Sequence, residues 1–257
     1  MPYQKNVHHA AVKHEEQLTA DFKKDKQLAA KIINAALGES YQVEHVGGTT
    51  HKEDIKILDG SKEYLISVKK KEGTENGSFD WINSTKPNKN KAFDPIKALY
   101  KDVRNKYFHQ KSSKKEVRSL LNEASNKILC EMTSDQVWDV LEENVILPYI
   151  TKDLLILISD VKENKKYCAK MRDSKLYQHY VNKTPITLVA PKDAKQSRQI
   201  MFGNDNIGLR IRVTPNNGVG ALLGLSKSNS NSSVSIKIQQ DSVATSFLKT
   251  TKNVRIV

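Results

Sequence analysis

Cysteine is scarce in this chain, and its spacing indicates neither a metal site nor a disulfide framework. The 257 residues include two cysteines, Cys130 and Cys168, with no CxxC motif and no cysteine–histidine pair at zinc-ligand spacing. This pattern excludes a disulfide-stapled secreted scaffold and argues against a structural zinc site. We therefore expect two reduced, buried thiols.

The chain also lacks a long apolar run. A membrane-spanning helix needs about 20 apolar residues, and the longest apolar region here is interrupted by Lys152 and Asp153. The N-terminal sequence MPYQKNVHHA has no apolar segment of the kind that secretion signals contain. With a mean hydropathy of −0.59, the composition predicts a soluble protein in the cytoplasm, with no membrane partner.

Acidic residues are outnumbered, and the excess positive charge is concentrated in two segments of a chain whose net charge is +13. Residues 86–118 carry 11 Lys/Arg and 3 Asp/Glu, and residues 195–257 carry 9 and 2, so the rest of the chain sums to −2. Concentrated positive charge favours a polyanion such as nucleic acid, because each phosphate contact releases counterions. A generally lysine-rich surface without such a partner is the alternative.

Hydrophobic spacing predicts a mixture of helices and strands. Helices are predicted at residues 7–37, interrupted near Asp25 and stopped by Gly38, and at residues 94–108, 113–129, 134–146 and 174–181. Strands are predicted at residues 41–46, on both sides of the DGSK turn, at LLILISDV, NKKYCAKM and TPITLVAP, and in a C-terminal hairpin built from IGLRIRVTP, the Gly218-to-Gly224 stretch and SVSIKIQQ. We expect an α/β (α+β) fold with helices flanking a central mixed β-sheet and a C-terminal antiparallel hairpin. We expect a single domain over residues 1–257, from which residues 195–257 could form a minor β lobe.

The stretch HKEDIKILDGSKEYLISVKKK contains the main candidate catalytic residues of the chain. Asp54 begins the first strand of its hairpin, and Ser67 and Lys69 lie two residues apart on the second strand, so they share a face. The hairpin therefore brings one carboxylate and one ammonium to the same place. Metal-dependent phosphodiester hydrolysis needs this pair: the carboxylate holds a hard divalent cation, and the lysine orients or activates water and offsets negative charge.

A second carboxylate could come from the first helix. Glu15 lies three residues before Leu18 and seven before Phe22, on the apolar face, whereas Glu16 lies on the more exposed side. A carboxylate among apolar residues is costly unless it is paired or metal-bound. Glu15 is therefore a candidate metal ligand, and an ion pair with a lysine at the edge of the apolar face is the alternative.

Taken together, these residues resemble the PD-(D/E)XK nuclease superfamily, whose pattern is an acid-bearing helix, a strand with Asp, a hairpin turn and an acid-x-Lys triplet. The likeness is to small type II restriction endonucleases that cut four-base-pair GC-rich sites. VKHEEQLTADF resembles the first helix of that family, and LLILISDV and GLRIRVTP…VSIKIQQ follow in the same order. The resemblance covers most of the chain loosely, and it implies a restriction-endonuclease-like core.

The resemblance implies a role for each residue of the hairpin. Asp54 and Glu15 would bind Mg²⁺ (with Mn²⁺ as a substitute) together with the backbone carbonyl of Val68, and Lys69 would be the catalytic lysine. Ser67 stands where most members have Asp or Glu. This departure removes a negative charge from the site, so Glu15 would take a larger part in binding the metal.

The resemblance also implies contacts with double-stranded DNA, which the loop after the second strand would reach. Asn and Ser suit base edges, and Lys suits phosphates. The candidates are Lys70, Lys71, Asn76, Ser78, Asn83, Lys86, Asn88, Lys89 and Lys91. Arg210 and Arg212, two residues apart on the terminal hairpin, could bind phosphates or recognise guanine through two hydrogen bonds each.

The resemblance implies a Mg²⁺-dependent endonuclease of double-stranded DNA, of the type II restriction kind, with a short recognition site. Such an enzyme, bacterial or virus-encoded, would act as a monomer or homodimer on DNA beside a cognate DNA methyltransferase. Two alternatives stay open. One is a structure-specific DNA-processing nuclease or Holliday-junction resolvase, and the other is a catalytically inactive DNA-binding module, since Ser67 supplies no charge.

Overall fold

The computed structural model describes residues 3–47, 52–71, 79–80, 90–190, 197–215, 218–226, 234–240 and 255–257. The chain divides into two compact units, which we describe separately. Unit one comprises Met1–Phe79, Ile146–Val181 and Ser242–Val257, and unit two comprises Asp80–Val145 and Asn182–Asp241. The single domain over residues 1–257 and the minor lobe at residues 195–257 stay predictions.

Helices and strands follow one another in groups along the chain. The strands are β1 (Gln42–His45), β2 (Ile55–Asp59), β3 (Lys62–Lys71), β4 (Phe79–Asp80), β5 (Leu155–Asp160), β6 (Lys165–Lys170), β7 (Ile186–Val189), β8 (Arg198–Phe202), β9 (Leu209–Pro215), β10 (Val234–Gln240) and β11 (Arg255–Ile256). The helices are α1 (Tyr3–Lys24), α2 (Lys26–Ile33), α3 (Asp94–Tyr107), α4 (Lys114–Cys130), α5 (Ser134–Leu141), α6 (Leu147–Thr151), α7 (Lys175–Val181) and α8 (Gly218–Leu222).

Unit one is built on a six-stranded mixed sheet in the order β1-β2-β3-β5-β6-β11. The DGSK turn joins β2 and β3 as an antiparallel hairpin, as predicted, with Ile55 opposite Ile66. β3 and β5 run parallel, with Lys69 opposite Ile158, and the remaining neighbours are antiparallel. The expected α/β class, with a mixed sheet flanked by helices, is therefore confirmed.

Helices α1 and α2 pack on this sheet through one apolar cluster. Alternate residues of β2 and β3 point into it, which leaves Ser67 and Lys69 on the other face of β3. The cluster is formed by Leu18, Phe22, Ala29, Ile32, Leu37, Val43, Ile55, Ile57, Ile66, Val68, Leu155, Leu157 and Cys168. All six residues of β5, which lies between β3 and β6, are buried, as expected for a strand covered on both faces of the sheet.

The predicted helix at residues 7–37 is two helices. Asp25 interrupts it, as expected, and caps α2 by accepting a hydrogen bond from the backbone nitrogen of Leu28 at 2.9 Å. The prediction that Gly38 stops the helix is wrong. Asn34 ends it in the left-handed conformation with φ 57°, and its N–H donates to the Ala30 carbonyl.

Unit two contains a sheet in the order β4-β10-β9-β8-β7, with α3, α4, α5 and α8. The terminal hairpin is confirmed by antiparallel pairing of β9 with β10. One detail of the prediction is wrong, because the stretch Gly218 to Gly224 begins with helix α8. The helix expected at residues 134–146 is confirmed, as α5 followed by a π-helical turn over Glu142–Ile146. Of the two free thiols, Cys168 is buried as expected, but Cys130 is exposed.

Within the part of the chain that the structure describes, no helix combines the length and the apolar character needed to cross a lipid bilayer.

Candidate active site

The backbone of Asp54 is fixed from both sides. Its N–H donates to the Ile66 carbonyl on β3 at 2.8 Å, and its carbonyl accepts from the N–H groups of Val46 and Gly47 at 2.9 and 3.3 Å. Asp54 therefore joins the end of β1 to the hairpin. This places its side chain where the predicted carboxylate was expected, directly before β2.

The Asp54 carboxylate is held by β3. Its Oδ2 accepts a short hydrogen bond from the Val68 N–H at 2.6 Å and a longer one from Ser67 Oγ at 3.4 Å. Burial raises the pKa of Asp54, and the positive charge of Lys69 is the largest influence that opposes this effect. The carboxylate is therefore a desolvated anion with a cation beside it.

Lys69 supplies that cation. Burial alone would lower the pKa of Lys69, but Tyr149, Asp54 and Glu15 outweigh it and hold the pKa above the usual lysine value. The side chain therefore carries its charge at neutral pH. A charged ammonium can stabilise negative charge and orient water, but it cannot accept a proton.

Glu15 on α1 reaches the same place. Its Oε2 lies 3.2 Å from His45 Nε2, and the Glu15 and His45 side chains are 15% and 25% exposed. The pKa of Glu15 is raised first by burial and then by the negative charge of Asp54, while His45 and Lys69 oppose the rise. The structure thus brings Glu15, Asp54, Ser67 and Lys69 together, and Glu16 is exposed.

Sequence reasoning missed two residues at this site. His45, at the end of β1, contacts Glu15, and a hairpin register that included β1 could have drawn attention to it. Tyr149 of α6 is 1% exposed, and its hydroxyl lies 3.5 Å from Ser67 Oγ. No local pattern identifies Tyr149, because 82 residues separate it from Ser67.

The donor set fits Mg²⁺ bound through few protein ligands. Within the described residues, no three His, Cys, Asp or Glu side chains form a group that could hold a metal ion. The negative charge of Asp54 nevertheless raises the pKa of Glu15, an effect that a bound divalent cation would relieve. Mg²⁺ keeps several waters and is commonly held by one or two carboxylates, and Asp54 and Glu15 are the two carboxylates at this site; the part expected of the Val68 carbonyl stays a prediction.

The DNA-contact candidates fall into two groups. Lys70 is partly exposed on β3, Lys91 is exposed in a short 3₁₀ turn of unit two, and Arg210 and Arg212 share a face of β9. Six candidates and the side chain of Lys71 lie outside the described residues; the six are Asn76, Ser78, Asn83, Lys86, Asn88 and Lys89.

The polar face of β9 carries more positive charge than the sequence indicated. Lys237 on β10 lies directly opposite Arg212, and like charges at such positions destabilise a sheet unless an anion offsets them. Arg212 also interacts with Tyr100 inside unit two. Burial raises the pKa of Tyr100 to about 12, and the positive charge of Arg212 opposes this rise.

Comparison with protein-family models, with curated proteins and with solved structures finds no significant match to this chain.

Proposed function

We propose that the protein is a Mg²⁺-dependent endonuclease of double-stranded DNA, of the type II restriction kind with a short recognition site. The observation that carries the proposal is the convergence of two half-buried carboxylates, Asp54 and Glu15, with one charged lysine, Lys69. They come from a hairpin and a helix in the order that the PD-(D/E)XK resemblance implies. Acids whose pKa values are raised by burial beside a charged partner are typical of functional sites, and Asp54 and Glu15 both show this shift beside Lys69.

Each residue has a separate task in phosphodiester hydrolysis. A bound Mg²⁺ polarises a phosphate oxygen and lowers the pKa of bound water. Asp54, fixed by the Val68 N–H at 2.6 Å, and Glu15, fixed by His45 at 3.2 Å, would hold the cation in the site. Lys69, which stays protonated, would orient the attacking water and offset the charge that develops on the scissile phosphate.

The charge distribution supports DNA as the polyanion. Residues 86–118 carry a net charge of +8 and residues 195–257 carry +7. Within unit two, Lys237 on β10 lies opposite Arg212 on β9, and Arg210 lies two residues before Arg212 on the same strand. Phosphate contacts of this kind position a duplex, and the two arginines are also suited to guanine.

The test is incubation of plasmid and long viral DNA with the protein and Mg²⁺, read on a gel. Discrete fragments that disappear in EDTA are the expected result for a restriction enzyme. A smear would indicate cleavage without a fixed site, and preferential cutting of four-way junctions would indicate a resolvase. Cleavage that survives the chelator would contradict the metal role.

Ser67 favours one other candidate, a DNA-binding module without catalysis, because the triplet position carries no acid. The substitution Asp54→Ala separates the two functions. A nuclease should lose cleavage and keep its DNA affinity in a gel-shift assay. A binding module should show the same affinity with and without the substitution, and no cleavage in either protein.

A further inference from the structure

A cation and two aromatic rings are grouped where helix α3 ends, in unit two. Phe108 directly follows the helix and is 40% exposed. Its ring lies against that of His109, with 4.0 Å between the two centroids, and the Arg104 guanidinium lies over it, 4.4 Å from its centroid. Arg104 is half-buried and His109 is exposed. These three residues, the Phe108 cluster, place aromatic rings and a planar cation at the surface.

The end of helix α8 fixes the Phe108 cluster in place. The carbonyl of Leu222, the last residue of α8, accepts from Arg104 Nη1 at 2.5 Å, and the next carbonyl accepts from the His109 N–H at 2.9 Å. A Cβ atom at Gly224 would lie 2.5 Å from the Phe108 ring, so only glycine allows this approach. His109 has φ 61°, which few residues other than glycine adopt. The exposed rings are therefore held by the backbone before any ligand binds.

The sequence around the Phe108 cluster is strongly basic. Residues 104–118 contain six Lys/Arg and one Asp/Glu, a net charge of +5 with histidine neutral. Lys114 is exposed, and its ammonium also lies beside α8, 3.5 Å from the position that a Cβ of Gly220 would occupy. Exposed cations beside exposed rings are the combination that binds a single nucleic-acid strand, because cations contact phosphates and rings stack on bases.

We propose that the Phe108 cluster and Lys114 form a binding site for the unpaired bases and phosphates of a single DNA strand. Bases inside a duplex are stacked on each other, so a duplex would meet the cations and not the rings. The site goes beyond the proposed nuclease function and does not depend on it, since it uses neither Mg²⁺ nor the carboxylates of unit one.

The test is fluorescence anisotropy of a labelled oligodeoxythymidine in EDTA, with a duplex of the same length for comparison. His109→Asn removes one ring and keeps the backbone, because asparagine readily adopts a positive φ. Phe108→Leu removes the other ring and keeps an apolar side chain. Each should weaken single-strand binding about 5- to 30-fold, the lower part of the range for a base stacked on an aromatic ring, and leave duplex affinity unchanged. Val189→Ala is the control, since Val189 is also an exposed apolar residue of unit two, at 39%, and its affinities should equal those of the wild type.

A second measurement tests the cations. Lys114→Gln should reduce the slope of log affinity against log salt concentration by about 0.7, the value for one phosphate contact with a single strand. Lys127→Gln is the matched control, because Lys127 is an exposed lysine near the other end of α4, about 20 Å away. Its slope should equal that of the wild type.

The outcomes that contradict the proposal are specific. Wild-type affinity for the single strand in His109→Asn or in Phe108→Leu overturns it, with circular dichroism confirming that each variant is folded. Equal loss of single-strand and duplex affinity also overturns it, because the rings would then support the fold or a duplex contact. Because no part of this test involves cleavage, its failure leaves the nuclease proposal standing, and a protein that cuts no DNA can still show this binding.

Discussion

Replacing Gly47 with alanine tests the role of Glu15 without changing a charged group. A Cβ atom at position 47 would lie 2.9 Å from Glu15 Oε2 and 2.7 Å from His45 Nε2. The φ angle of Gly47 lies outside the left-handed region, so alanine introduces no backbone strain of that kind. The methyl group therefore acts directly on the contact between Glu15 and His45.

The size of the effect follows from these distances. The Glu15 oxygen must retreat by about 0.5 Å to reach an ordinary contact with carbon. Because this atom ends a flexible side chain, the free energy of unfolding should fall by less than about 1 kcal/mol. In a well-formed metal site the ligand distances agree with their ideal values to within about 0.2 Å. We therefore expect divalent-ion affinity to fall about 10- to 100-fold, the range for loss of a partner that orients a ligand.

Isothermal titration with Ca²⁺ or Mn²⁺ measures this affinity, and the Mg²⁺ concentration needed for half-maximal cleavage gives a second measure. Gly38→Ala is the control, because its Cβ would lie 2.7 Å from another carboxylate oxygen, Asp59 Oδ1, at the hairpin turn. Its ion affinity should equal that of the wild type. Equal affinity in all three proteins would refute the reasoning and remove Glu15 from the site.

Three further experiments test the charged groups of the site directly. Lys69→Ala should slow cleavage about 100-fold or more while DNA affinity in a filter-binding assay stays near wild type; equal loss of both would make Lys69 only a phosphate contact. Glu15→Gln should slow cleavage far more than Glu16→Gln, since Glu15 is 15% exposed and Glu16 is exposed; the reverse order would mean that the other face of α1 meets the substrate. Asp54→Asn should raise Tm in EDTA at pH 7. Burial raises the folded-state pKa of Asp54, so the folded protein is more stable when this carboxyl is neutral. That stability is lost as pH rises through the folded-state pKa. The difference should disappear below the ordinary aspartate pKa of about 3.9, and a lower Tm for the variant at pH 7 would contradict the direction of the shift.

The hairpin and the phase of the first helix could be predicted because both depend on local pattern. The DGSK turn lies between two alternating apolar runs, and this alone sets the register that brings Asp54 to Ser67. The spacing of Glu15 from Leu18 and Phe22 likewise identifies its face of α1. Asp25 could be recognised as an interruption because its side chain competes for backbone hydrogen bonds.

Other features could not be predicted because they depend on residues distant in sequence or on a choice between similar local signals. Asn34 and Gly38 are both residue types that commonly end helices. The helix ends at Asn34, whose backbone N–H donates to the Ala30 carbonyl. Tyr149 reaches Ser67 only because β5 pairs parallel to β3, which requires a long crossover that no local pattern encodes.

His45 illustrates the same limit on a smaller scale. Its sequence context, YQVEHV, predicts a strand but gives no reason to expect a polar partner. Glu15 lies 30 residues away, and the contact follows from the packing of α1 on β1. The chemistry of the hairpin could thus be read locally, while the residues that orient it could not.

The most direct test of the account is single-turnover cleavage of plasmid DNA by the wild-type protein and by Asp54→Ala, with Mg²⁺ and protein in excess over DNA. We predict discrete products from the wild type and none from the variant. Cleavage of equal rate by both proteins, or by neither, would contradict the claim that Asp54, Glu15 and Lys69 form a metal-dependent nuclease site.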